Sequence, residues 1–379
     1  MKITILQGAF LPVPPIQGGA VEKIWYKMGQ EFASLGHEVL HISKAHSQLP
    51  KQEEINGVNY LRVSGYDTPS NIIKLKWLDL LYSRRAIKKI SDDPDVIVTN
   101  TFWSPILLRR KIGNKVYVSV ERLPKGQMKF YTHVGRLRGC SPSICEGIKE
   151  EISEKYHHLV SYIPNPVPFD IKHRPQSLEK ENIILFVGRL HPEKGVHILL
   201  KAFSLLDANL KNKWKLIILG PHDTKDGGGG KAYKNQLLDL VKHDNIKFKG
   251  PIYSDYVLKK FYAKAKIFCY PAQEFSGDAA PVAPREAMSF GAVPIVSKLP
   301  CFNDFIVNNE NAIVYDHKAD VQEKELAESL NHLMKNSKFL KDIAYSSRQT
   351  IKKYSPKIIA KKFLEDFRNM NKSITYESL

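Results

Sequence analysis

Two carboxylates and two cations stand where this chain could do chemistry. Asp278 and Glu286 lie in the stretch YPAQEFSGDAAPVAPREAMSFGAVPIVS, residues 270–297, with seven residues between them. A Pro/Ala/Gly-rich loop carries the first, a helix start carries the second, and the apolar strand AVPIVS follows at once. Carboxylates accept hydrogen bonds from hydroxyls, and a helix N-terminus offers N–H groups to anions. Such a unit suits a polyhydroxylated ligand that also bears phosphate. Arg189 and Lys194 flank a strand-to-helix turn, GRLHPEKG. Arginine can hold an oxyanion bidentately, whereas lysine acts as a point charge. Gly18 and Gly19 precede another helix, where glycine lets backbone N–H groups approach a phosphate. An ordinary loop before a helix would look the same.

Other clusters point elsewhere. Cys140, Cys145, Cys269 and Cys301 form no CxxC pair and have no partners at zinc spacing, so they read as reduced structural thiols. SDDPD at 91–95 reads as a helix cap leading into the strand DVIVT rather than as a metal site. Asp226 with Gly227 to Gly230 reads as a mobile surface loop, because no helix start with phosphate-cradle spacing follows it.

These residues need elements to position them, and the chain supplies two runs of alternating strands and helices. The first opens with the strand KITILQGAF. A helix follows in which Val21, Ile24, Trp25, Met28, Phe32 and Leu35 recur at helical spacing until Gly36 stops it, and then the strand EVLHIS. DPDVIVTNT and KVYVSVERL are two more short β-rich runs. The second run reads NIILFVGRL, VHILLKAFSLL, WKLIILG, YKNQLLDLVKH, IKFKG, VLKKFYAKA, KIFCYPA, REAMSF, AVPIVS, strand and helix in turn. This alternation implies mostly parallel sheets, with ligands outside the carboxyl ends of the strands. YIPNPVPFDIKHRPQS, rich in proline and polar residues, suits the join. SPKIIAKKFLEDFRNM reads as an amphipathic helix with Ile358, Ile359, Phe363 and Phe367 on one side.

Composition narrows the class. A chain of 379 residues exceeds one ordinary core, so two domains are expected. Apolar content of 43% and charged content of 25% are those of a globular protein. No apolar run is long enough to span a bilayer, and the apolar run before Pro12 is too short for a signal peptide, so a cytoplasmic location is expected. The net charge of +18 calls for an anionic partner: nucleic acid, anionic lipid or phosphorylated small molecules. Residues 72–90, IIKLKWLDLLYSRRAIKKI, set Trp77, Leu78, Leu81 and Tyr82 against Lys74, Lys76, Arg84, Arg85, Lys88 and Lys89. That pattern fits either an ordinary core-facing helix or one lying on the inner face of an anionic membrane.

Several ordered motifs together resemble glycosyltransferase family 4. VGRLHPEKGVHILLKAF is similar to its GRL-x-x-x-KG block. GGAVEKIWYKMGQEFASLGHEV resembles its N-terminal glycine loop and first helix, and IPNPVP its interdomain segment. The 270–297 stretch resembles its acid-x7-acid motif followed by EAM-x-x-G-x-PIVS. The chain departs from the pattern at Asp278, where glutamate is usual, at Pro281 in place of glycine, and at Arg285 in place of an apolar residue. Glu121 and Arg122 stand where a histidine is common.

The resemblance implies the GT-B fold: two Rossmann-like α/β domains facing across a deep cleft, with the C-terminal helix packing back on the N-terminal domain. The expected boundaries are residues 1–168 plus helix 356–379 for the acceptor domain and 169–355 for the nucleotide-sugar donor domain. It implies transfer with retention from a nucleotide-diphosphate-sugar to a glycan or lipid-linked acceptor, in surface polysaccharide or glycolipid synthesis. No metal or other cofactor is implied. Arg189 and Lys194 would face the charge growing on the leaving diphosphate. Glu286 would accept from the ribose hydroxyls, and Asp278 would meet the donor sugar. Gly18, Gly19, Gly188, Ile252, Ala279, Ala280, Pro281 and Val282 would complete the donor site. Glu121, Arg122, Lys125 and His133 are the acceptor-side candidates. Two alternatives stand beside this reading: a GT-B nucleotide-sugar epimerase, which needs no acceptor, and a basic nucleic-acid-binding protein, for which no recognisable module is present.

Overall fold

The computed structural model describes residues 1–69, 71–169, 179–274 and 280–377. The chain divides into two compact units, residues 1–168 with 354–379, and residues 169–353.

The first unit runs β1 (Lys2–Leu6), α1 (Ala20–Ser34), β2 (Glu38–Lys44), β3 (Gln52–Ile55), β4 (Val58–Val63), α2 (Ile72–Ile87), β5 (Val96–Thr99), α3 (Trp103–Ile112), β6 (Val116–Val120), β7 (Arg136–Gly139), α4 (Pro142–Glu151) and β8 (Val160–Tyr162). Its eight strands lie in the order β3-β4-β2-β1-β5-β6-β7-β8. All pairs are parallel except β3 with β4, a hairpin turned at Asn56 and Gly57, both in the left-handed region (φ 53 and 77). The order reverses between β1 and β5, the switch point of this sheet. Helix α1 buries Ile24, Trp25, Met28, Gly29 and Phe32, the spacing expected of it. At Gly29 the absent side chain lets the helix close onto Ile5, Val39 and Val58.

The second unit runs β9 (Glu181–Val187), α5 (Val196–Ser204), α6 (Ala208–Lys213), β10 (Lys215–Leu219), α7 (Gly230–Asp239), β11 (Ile246–Gly250), α8 (Asp255–Lys264), β12 (Ala265–Tyr270), α9 (Val282–Ser289), β13 (Val293–Ser297), β14 (Ile313–Tyr315), α10 (Gln322–Lys335) and α11 (Ser337–Ile351). Six parallel strands lie in the order β11-β10-β9-β12-β13-β14, with the switch point between β9 and β12. Near-continuous burial along β9, β10, β12 and β13 is what a parallel sheet covered on both faces requires.

The last helix, α12 (Pro356–Glu377), returns to the first unit as expected. Phe363 and Phe367 meet Trp25, Phe32 and Tyr117 at ring-centre distances of 4.8–6.3 Å. Asp366 joins them, accepting from Tyr117 and Ser161 and pairing with Arg136. Ile358, expected on this packed side, is instead 42% exposed, and Ile359 takes the buried place. SDDPD caps no helix. Its Asp95 accepts the backbone N–H of Lys2, and Asp93 pairs with Lys115.

Candidate functional site

In the second unit the carboxyl ends of β9 and β12 flank the switch point, and the expected donor residues follow these two strands. The turn after β9 is held by close backbone approach. Gly188 donates to the Leu219 carbonyl, and a Cβ on Gly220 would stand 1.7 Å from the Gly188 oxygen. Gly195 adopts φ 67, and its Cβ would stand 1.9 Å from the Pro271 carbonyl. Gln273 N–H donates to the Glu193 carbonyl. The turn carrying Arg189 and Lys194 is therefore bound to the segment leaving β12.

Arg189 and Lys194 are positioned differently. The Arg189 guanidinium donates to the Gly227 carbonyl (2.5 Å) and to Glu193 (2.6 Å), with its side chain 39% exposed. Lys194 is buried, its Nζ 3.7 Å from Glu193 Oε1 and 5.7 Å from the centre of the Tyr270 ring. The glycine run beside them is stitched down. Gly228, Gly229 and Gly230 donate to Asp223, Leu190 and His222, and α7 starts at Gly230, so the expectation of a mobile loop with no helix start is corrected.

Glu286 is buried and accepts from the Tyr262 hydroxyl at 2.7 Å. Burial, then the neighbouring Glu286 charge, raises the Tyr262 hydroxyl well above its ordinary range. Helix α9 starts at Val282, one turn earlier than expected. Pro284 falls in its first turn, where no N–H partner is needed, so the proline does not delay the helix. Glu286 therefore lies in the second turn rather than at the helix start. Pro281 occupies the N-cap, Val282 the first helical position, and Ala280 is buried beside them. Arg285 is also buried, pairing with Asp304 at 2.7 Å and lying over Phe305. Ile252 is partly buried in the loop after β11. Asp278 and Ala279 lie outside the described residues.

In the first unit Gly18 and Gly19 take φ 80 and 95, and Gly19 caps α1 without a side-chain hydrogen bond. Glu121 stands in a buried hydrogen-bonded cluster at the end of β6. Its carboxylate takes hydrogen bonds from Ser119, Asn165 and the fully buried Arg138. His133 is not a solvated loop residue. Its Nε2 lies 2.9 Å from the Pro105 carbonyl, and burial pushes the ring below the ordinary imidazole range. Arg122 and Lys125 are exposed in a loop whose Gly126 and Met128 N–H groups donate to Glu151. Among the described residues, no group of three or more His, Cys, Asp or Glu side chains is placed to hold a metal.

Residues 169–350 match the family described as glycosyl transferases group 1. This second unit is a glycosyltransferase domain. Over 346 aligned residues the chain is 24% identical to the GalNAc-alpha-(1->4)-GalNAc-alpha-(1->3)-diNAcBac-PP-undecaprenol alpha-1,4-N-acetyl-D-galactosaminyltransferase of Campylobacter jejuni, with 87% of this chain and 89% of that one covered. It is 23% identical to the lipopolysaccharide 1,2-N-acetylglucosaminetransferase of Salmonella typhimurium, with 97% and 98% covered. Its fold is that of the sucrose-phosphate synthase of Thermosynechococcus elongatus, with a TM-score of 0.80, 16% identity, and 98% and 100% covered. The chain is a glycosyltransferase of GT-B architecture.

Within this glycosyltransferase three partners were not legible from sequence. Glu193 lies four residues from Arg189, but in a turn, where the helical i,i+4 rule gives no warning. Gly227 reaches Arg189 through a carbonyl, which no side-chain pattern reveals. Tyr262 sits 24 residues before Glu286, on a helix that reads simply as amphipathic.

Proposed function

We propose that this glycosyltransferase moves a sugar from a nucleoside-diphosphate sugar to a lipid-linked glycan acceptor, with retention and without a metal, in surface polysaccharide or glycolipid assembly. What carries the reading is the pair of cations at the β9/β12 switch point of a group 1 domain, held there by Gly195 and the Glu193–Gln273 bond. As the glycosidic bond breaks, negative charge grows on the leaving diphosphate. Lys194 is buried, and a fixed charge in such a place stabilises that growth more than it would in water. Arg189 would turn from Glu193 to the phosphate or share its guanidinium between them. Glu286, oriented by Tyr262, would take the ribose hydroxyls, and Asp278 the donor sugar. The leaving phosphate would accept the acceptor's proton on the same face, so no covalent sugar–enzyme intermediate is needed. The acceptor assignment leans on the Campylobacter and Salmonella relatives, whose names specify a pyrophosphate-linked polyprenol glycan and a lipopolysaccharide.

Thermal-shift titration with UDP-, GDP-, ADP- and dTDP-sugars tests the donor. At least one should raise the melting temperature, because only a ligand that favours the native state does so. Lys194→Ala should keep the fold yet lower kcat about 100-fold or more, in the range seen when one transition-state donor is removed. Near-normal turnover in that variant, or no shift with any nucleotide sugar, overturns the assignment.

A further inference from the structure

One carboxylate stands among the basic groups of the cationic turn. Glu193 Oε1 accepts from the Arg189 guanidinium at 2.6 Å and lies 3.7 Å from Lys194 Nζ, while Oε2 lies 3.5 Å from His191 Nδ1. The Glu193 side chain is only 14% exposed, so salt and solvent screen these contacts less than on an open surface. The sequence GRLHPEKG explains the crowding. Arg189, His191 and Lys194 all lie within four residues of Glu193, in one short turn whose path is set by Pro192 and the left-handed Gly195.

The main chain of Glu193 is pinned. Its N–H donates to His191 Nδ1 at 3.4 Å, and its carbonyl accepts from Gln273 N–H at 2.8 Å. The side chain is therefore the part of this residue that can respond to a ligand. Arg189 has a second acceptor, the Gly227 carbonyl, which carries no charge. Its guanidinium is thus shared between a neutral main-chain group and a charged side chain.

A carboxylate in that place does two opposite things. It holds the cations still, and it cancels part of the positive charge they present. Toward a leaving diphosphate the second effect is a repulsion between like charges. Without it, an arginine and a buried lysine would hold that product tightly through charge-assisted hydrogen bonds.

We propose that Glu193 is a built-in competitor for the leaving diphosphate: it takes Arg189 as the diphosphate departs, and its charge weakens the hold on that product. The inference rests on the donor reading given above. It adds a residue whose removal strengthens binding, where removal of Arg189 or Lys194 weakens it. A plain brace predicts the opposite sign, because a guanidinium that is no longer pre-organised binds anions less well.

Isothermal titration of the full chain with UDP, GDP, ADP and dTDP, and with the matching nucleoside monophosphates, tests this. For a diphosphate that binds, Glu193→Gln and Glu193→Ala should each tighten binding about tenfold, a modest share of what like charges at close range cost. The matching monophosphate should change by less than about twofold, because the interaction falls away once the terminal phosphate is missing. Diphosphate binding that is unchanged or weaker in either variant overturns the proposal and leaves Glu193 as a brace. Equal tightening of mono- and diphosphate overturns it too, since the charge would then not act on the terminal phosphate. Loss of the melting transition in both variants has the same meaning as weaker binding. A wild-type chain that binds none of these nucleotides overturns the donor reading instead.

Discussion

At the scale of single residues, Glu22 is the carboxyl whose environment says most about pH. Desolvation raises it from 4.5 to about 7, with its own backbone N–H and Arg122 opposing and Glu121 adding to the rise. A carboxyl raised in the folded state binds its proton more tightly there than in the unfolded chain. Its contribution to stability is fully present below about pH 4.5, falls as pH rises, and is lost once pH passes about 7. Glu22→Gln removes this dependence. The variant and the parent should melt together near pH 4.5, and the variant should melt higher by pH 8. Asp79, raised by burial to about 6, contributes the same sign in both proteins and cancels in the comparison. Parallel melting curves across the whole range would show that Glu22 titrates as an ordinary surface acid.

At the scale of elements, the second unit was largely legible because its strands are short apolar runs bounded by glycine, and its helices keep a 3.6-residue period. What escaped was carried by polar chain. The β3–β4 hairpin has its Asn-Gly turn in plain view in EEINGVNYLRV, yet an edge strand rich in glutamate does not look like a strand. β7, RLRG, is readable only once Arg138 is known to be buried against Glu121, Asn165 and the Ile163 carbonyl. The start of α9 was misplaced because prolines normally signal loops, whereas in a first turn they fit. The candidate site was legible as a set of residue types, but the contacts that hold the types in place were not. Gly195 is the clearest of these. It is left-handed, and its missing Cβ lets the cationic turn touch Pro271. Gly195→Ala must pay the left-handed penalty of about 1 kcal/mol and also push the turn away from Pro271. It should lower the melting temperature by several degrees and cut kcat more than it weakens nucleotide binding, because Lys194 moves with the turn. An unchanged melting curve would mean that the two segments are not tied.

At the scale of the whole molecule, the charge of +18 raises the question of an anionic partner, and α2 is the element on which a membrane surface can be tested. Its core side is Asp79, Tyr82, Ser83 and Ala86 rather than the expected row of Trp77, Leu78, Leu81 and Tyr82. That leaves Ile72, Ile73 and Trp77 exposed at the N-terminal end, 62%, 77% and 59%, next to the exposed Lys74 and Lys76. Arg85 is committed to the Ser64 carbonyl and Tyr66, but Arg84, Lys88 and Lys89 are also exposed. Among the described residues no helix is long and apolar enough to cross a membrane. Each cation near an anionic surface contributes about 1 kcal/mol, and an inserted tryptophan or isoleucine adds the burial of its side chain. A protein docked this way meets a lipid-linked acceptor in two dimensions. The full chain should co-sediment with phosphatidylglycerol vesicles and not with phosphatidylcholine vesicles, and should come off as salt is raised. Ile73→Ser with Trp77→Ser should weaken vesicle binding about tenfold or more at constant salt, with nucleotide affinity and melting temperature unchanged. Binding that depends on salt but ignores both substitutions would assign the attraction to scattered charge alone, and α2 would then have no part in it.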